Sequence, residues 1–169
     1  QLFVLREKSE KILAIFGSSG QARSKQAKQE LKNIVKSLLK TNENSYLSTE
    51  AKRLHFYILY VYYYLVVDYE KLYVNCKKLY QLYNKTPLVI ENEMIRYLPV
   101  AYNFLLSCLI TKRHKELYEN IQNVRDIPRK FKGANTEWVQ IKVFVKSFEF
   151  ELSLYTDQGD FESAFNLIP

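Results

Sequence analysis

The side chains that could do chemistry are few and poorly spaced for it. His55 and His114 are the two histidines, and neither has a second His or Cys at ligand spacing, so a zinc site is not expected. Cys76 and Cys108 sit among apolar neighbours and read as small buried thiols. Glu149 and Glu151, like Glu91 and Glu93, are two residues apart and cannot share a helix face as an acid–base pair. Asp68 and Asp160 fall at helix starts, where capping accounts for them. Gly17-Ser18-Ser19-Gly20 lacks the Gly-Lys-Ser/Thr of a phosphate loop and no strand precedes it. No nucleophile–base pair can be assembled, so the expectation is a non-catalytic segment with no cofactor and no metal.

Two kinds of surface chemistry are left. Fourteen tyrosines in 169 residues exceed what one core stripe absorbs. They concentrate at Tyr57, Tyr60, Tyr62, Tyr63, Tyr64, Tyr69 and Tyr73. Tyrosine brings large contact area at low entropy cost, which suits recognition, but it also serves at half-buried positions with its hydroxyl at the rim. The second feature is charge. Net charge is +7, and residues 1–40 hold nine basic and three acidic residues, whereas residues 131–169 hold three basic and six acidic. Arg23, Lys25, Lys28, Lys32 and Lys36 could contact phosphates, although no recognition-helix or RNA-binding motif accompanies them.

The elements that position these groups are helices. Gly and Pro number four each, too few for a turn-rich β-sandwich or a Gly-loop α/β enzyme. Apolar and charged fractions of 47% and 25% describe a folded chain. No apolar run reaches the roughly 20 residues that a membrane crossing needs. With no leader visible, a cytoplasmic location is the default expectation. The first residue is Gln1 and the sequence ends at Pro169 within a helical pattern, so a piece of a longer polypeptide is expected.

Periodicity predicts eight helices. The first spans residues 3–16 and the second about 21–40, with Ala27, Leu31, Ile34, Val35 and Leu38 on one stripe. The third runs from Ser48 to Val67 and is apolar on two faces, as a helix between two neighbours must be. The fourth covers 69–83 and the fifth 91–111, the latter with Pro99 in its first turn or at a kink. The sixth is stopped by Pro128, the seventh covers about 135–156, and the eighth begins at Phe161. Val139, Phe144, Val145, Phe148, Leu152 and Tyr155 supply the apolar side of the seventh. The result is one all-α domain, 1–169, an α-α superhelix of antiparallel hairpins at about 3–40, 48–83, 91–126 and 135–169.

Three hairpin turns look alike: Asp68-Tyr69-Glu70-Lys71-Leu72-Tyr73, Arg113-His114-Lys115-Glu116-Leu117-Tyr118 and Asp160-Phe161-Glu162-Ser163-Ala164-Phe165. Tyr69, His114 and Phe161 are 45 and 47 residues apart, and a ring there is expected to pack into the mouth of its hairpin. Leu72, Leu117 and Ala164 follow three residues on, where the two helices are closest.

The chain thereby resembles the tetratricopeptide repeat, whose second helix opens after a Gly-Asp/Asn-aromatic turn. Gly159-Asp160-Phe161 with Ala164 matches that pattern best. First-helix positions of the family fall on Phe56, Leu59, Tyr60 and Tyr63, on Ala101, Phe104, Leu105 and Cys108, and on Phe148, Glu151, Leu152 and Tyr155. The departures are Leu72 and Leu117 at the small position after the turn, bulky residues at the small position of the first helix, and a period of about 46 where the family has about 34. HEAT-like repeats share the longer period and are the alternative. The resemblance covers residues 48–168 and implies a divergent, long-helix relative of the kind found in bacterial regulatory or scaffold proteins.

Such a fold is expected to bind a protein or peptide along its concave surface. Arg53, Tyr57, Tyr64, Asn103 and Lys146 are the first-helix positions expected to point away from the hairpin stripe and make that contact. Nucleic-acid association through the basic amino-terminal hairpin is one alternative, and self-association within a larger regulator is another.

Overall fold

A computed structural model describes residues 1–19, 25–134 and 136–168, with Phe16, Ser18 and Ser19 described in their backbone alone. Among the described residues it is all-α, with no strand. Ten α-helices run in order among the described residues: α1 Leu2–Ser19, α2 Lys25–Val35, α3 Thr49–Leu65, α4 Tyr69–Asn84, α5 Pro87–Asn92, α6 Met94–Ile110, α7 His114–Arg125, α8 Ile127–Lys130, α9 Glu137–Gln158 and α10 Phe161–Asn166. Short 3-10 turns lie at Leu38–Lys40, Glu43–Ser45 and Lys132–Ala134. No helix is long and apolar enough to cross a membrane among the described residues.

The chain divides into two compact units, Gln1–Leu82 and Tyr83–Pro169. In the first, α1 lies against α3, and α2 packs on both. Its core is the stripe that periodicity picked out, Leu31, Val35 and Leu38, closing on Leu5, Ile12 and Ile58. Burying each such side chain stabilises the fold by about 1.5–3 kcal/mol. In the second, α6 and α7 pack together, α9 lies on both, and α10 lies on α9.

Several boundaries differ from the periodicity reading. Helix 21–40 is shorter: α2 ends at Val35 and a separate 3-10 turn carries Leu38, while its expected start near Gln21 lies outside the described residues. The fifth helix is two. Pro87 opens α5 at a first-turn position, where its missing donor is harmless. Glu93, at φ −122° and ψ 34°, then breaks the chain before α6. Pro99 sits inside α6, beyond its first turn, with its ring exposed. Pro128 does not end the helical path; it sits in the first turn of the short α8.

The three look-alike turns share one backbone. Val67 (φ 64°), Lys112 (φ 58°) and Gly159 (φ 74°) are left-handed. Asp68 N–H donates to Tyr63 O at 3.0 Å, Arg113 to Cys108 O at 2.8 Å and Asp160 to Tyr155 O at 2.9 Å. The left-handed residue itself donates three residues back, at 3.3, 3.0 and 3.1 Å. These are Schellman closures, in which two otherwise orphaned carbonyls at a helix end are satisfied. Leu72, Leu117 and Ala164 are buried after them. The ring positions are less uniform than expected. Tyr69 and His114 are half-buried, and Phe161 is 69% exposed. The residue three positions later is buried at all three turns whether or not the ring is covered.

Candidate interaction surface

The second unit presents an apolar face to solvent along α9. Thr136 caps this helix, its hydroxyl accepting from Val139 N–H at 3.3 Å. The inward residues Val139, Val143, Ser147, Phe150, Glu151 and Leu154 are buried. The outward residues are apolar too. Trp138 is 46% exposed and Phe144 67%, with Ile141 and Val145 about half exposed between them. Phe148, Leu152 and Tyr155 continue the row toward α10 and are half-buried. Phe144 and Phe148 stack at 6.3 Å between ring centroids. On α10, Phe165 is 74% exposed, and Ile168 just after the helix is also in solvent.

This orientation is fixed by polar contacts on the inner side. Arg125 of α7 forms an ion pair with Glu151, which is 5% exposed. The Arg125 Nε–H donates to Ser147 Oγ at 3.3 Å, and Ser147 Oγ donates to Phe144 O at 3.1 Å. Tyr155 donates to the second Glu151 oxygen at 3.4 Å, and its own hydroxyl is pushed up in pKa by burial and by that carboxylate. At the end of α9, Asp157 pairs with Lys112 and, at 2.7 Å, with His114 Nε2. Lys112 first and His114 second hold the Asp157 carboxyl below its usual range. With α9 clamped at Glu151 and Asp157, its outer row cannot rotate inward.

The residues expected at a partner surface fall elsewhere. Arg53 is buried, 7% exposed, with Glu50 at 3.7 Å. At that burial it does not present its side chain to a partner. Tyr57 is half-buried and meets Tyr60 edge-on at 5.2 Å. Tyr64 and Asn103 are half-buried. Lys146 lies on α9 and pairs with Glu149 at 2.6 Å. The other four members of that set lie on α3 and α6. The tyrosine cluster is therefore shared between packing and rim: Tyr57, Tyr60, Tyr62 and Tyr63 pack against the first unit's core, and Tyr73 is buried.

The basic row stands on α2. Lys25, Lys28 and Lys32 recur at i, i+3 and i+7, and Lys36 follows one residue past the helix; all four are exposed. Arg23 lies outside the described residues.

The histidines have structural partners. His55 Nδ1 lies 3.0 Å from the Tyr46 hydroxyl, and burial depresses its pKa. Cys76 and Cys108 are both buried, and neither is in a disulfide. Among the described residues, no group of three His, Cys, Asp or Glu side chains could hold a metal ion. No protein-family model matches the chain, and neither a curated protein nor a solved structure matches it.

Proposed function

We propose that the chain is a non-catalytic protein-interaction module, tetratricopeptide-like in plan, that docks a partner on the outer face of α9 and α10. The apolar row on a clamped helix carries the reading. Exposed apolar patches beyond a few hundred Å² are uncommon on isolated proteins and mark contact sites. Trp138 and Phe144 add the rigid aromatic area that dominates interface energetics. The repeat plan is supported by the three matching left-handed turns, each followed by a buried Leu or Ala. A photo-crosslinking residue placed at Phe144 should give protein adducts in cells, and one placed at exposed Lys85 should not. Equal labelling at both positions, or none at either, would sink the proposal.

A second reading rests on the lysine row. Four exposed lysines with a common helical spacing could meet a phosphate backbone. Binding to mixed DNA or RNA should then be strongest at low salt and fall steeply with added salt, and Lys28→Glu/Lys32→Glu should abolish it. Absence of binding at low salt removes this reading.

A further inference from the structure

The geometry points to a second copy of this chain as the occupant of the α9–α10 face, seated as a two-fold antiparallel helix pair. This inference rests on the interaction reading above and names its partner. Its first support is spacing. Trp138, Ile141, Val145, Phe148, Leu152 and Tyr155 follow one another at alternating steps of three, four, three, four and three residues. That is the a/d seam of a two-helix coiled coil, and it extends about 25 Å at 1.5 Å per residue. It lies outside the inner row, so α9 carries one seam for its own unit and a second that is exposed at Trp138, Ile141 and Val145 and partly covered at Phe148, Leu152 and Tyr155.

The seam is self-complementary. In an antiparallel pair an a position meets a d position. One register sets Val145 against Phe148 of the second copy, Ile141 against its Leu152 and Trp138 against its Tyr155. All three pairings recur through the two-fold axis, as an isologous interface requires. The same register brings Lys142 of one copy beside Glu149 of the other, twice per pair. Both residues are exposed on the flank of the seam, and opposite charges at such flanking positions select partner and orientation. An in-register parallel pair would instead set Lys142 across from Glu137 and Glu149 across from Phe144, so the antiparallel pair is the one that gives Glu149 an opposite charge from the second copy. Area agrees. The exposed fractions of Trp138, Ile141, Phe144 and Val145, with Phe161 and Phe165 of α10 and Ile168 just after it, leave roughly 800 Å² uncovered, at about 150–250 Å² per large side chain. A standard interface takes about 800 Å² from each partner. Trp138 of the second copy arrives where α10 starts, so the α10 rings join the contact.

Sedimentation equilibrium of the whole chain tests this directly. The expected species is a dimer of twice the 20.1 kDa chain mass. Trp138 is the single tryptophan, so its emission should shift to the blue as concentration rises through the dimer range. Ile141→Glu should weaken association at least tenfold with an unchanged far-ultraviolet circular dichroism spectrum. Lys142→Glu and Glu149→Lys should each weaken it severalfold, and Lys142→Glu/Glu149→Lys should restore it. Those two positions are exposed, so the charge swaps decide the matter even where Ile141→Glu unfolds the chain. A monomer at concentrations up to about 0.1 mM, a dimer indifferent to these substitutions, or a double swap no better than the single ones overturns the second copy. A monomeric chain that still gives adducts from position 144 loses only the second copy. Loss of both removes the interaction reading as well.

Discussion

Arg125 on α7 and Glu151 on α9 form an ion pair, with the carboxylate buried and the guanidinium one third exposed. Ser147 and Tyr155 complete the set on either side. Breaking a buried pair from one side strands the remaining charge, which costs more than the pair contributes. Glu151→Ala should therefore destabilise the chain by about 2–3 kcal/mol, below the fully buried range because Arg125 can turn toward water. Replacing both residues by Leu should recover most of that loss. Urea denaturation of the two variants provides the comparison.

The turn at Val67 carries a backbone cost that Gly159 does not. A left-handed conformation disfavours an L residue by about 1–2 kcal/mol, and a β-branched one most of all. Val67→Gly should raise stability by about 0.5–1 kcal/mol after the entropy of a freer unfolded chain is counted. Gly159→Ala should lower it by about 1 kcal/mol. An added Cβ at Gly159 meets nothing within 4 Å, so that loss is conformational and not steric. Thermal melts of the two single variants would show opposite shifts.

His55 makes stability depend on pH. Burial lowers its pKa in the fold below the unfolded value of about 6.5, with Glu43 opposing and Lys78 adding to the shift. The unfolded chain therefore binds the proton more readily. The His55 contribution is fully present above pH about 6.5 and is lost as pH falls toward and through the lower folded pKa. His55→Gln should flatten the stability–pH curve between about pH 7 and 5. An unchanged slope in chemical denaturation across that window would assign it to other groups.

The Tyr102 hydroxyl is buried with no hydrogen-bond partner among the described residues, and burial pushes its pKa upward. An unsatisfied buried hydroxyl costs about 1–3 kcal/mol in the fold. Tyr102→Phe keeps the ring and removes that cost, so it should be neutral or stabilise by about 1 kcal/mol. A drop in melting temperature would mean the hydroxyl has a role that the packing does not display.

Helix content and capping were legible in the sequence because both are local. Ser48 accepts from Ala51 N–H and Asp160 from Ser163 N–H, as residue types at those positions require. Leu31 and Val35 of α2 are buried, with Ala27 and Ile34 beside them and Leu38 in the turn that follows, because the other positions of α2 are polar and one face alone could go inward. The face of α9 was not legible for the opposite reason. Val139, Phe144, Val145, Phe148, Leu152 and Tyr155 read as one apolar side, yet Val139 faces the core while Phe144 and Val145 face solvent. When two rows on a helix are both apolar, periodicity cannot say which one the rest of the unit covers. Arg53 failed similarly. A charged residue reads as outward, and only packing around α3 brings it inside. Phe161 was assigned to the hairpin mouth from its type, whereas Ala164 is buried and the ring is in water.

The Schellman closures also bear on how such a chain can be compared with others. Valine, lysine and glycine occupy equivalent positions at the three turns, and the contacts that define the geometry are made by main-chain N–H and carbonyl groups. Those groups are common to nearly every residue type, so the information that shapes the turn is not written in letters. Residue-by-residue comparison sees three unrelated words there. Comparing hydrogen-bond patterns sees one word, spoken three times.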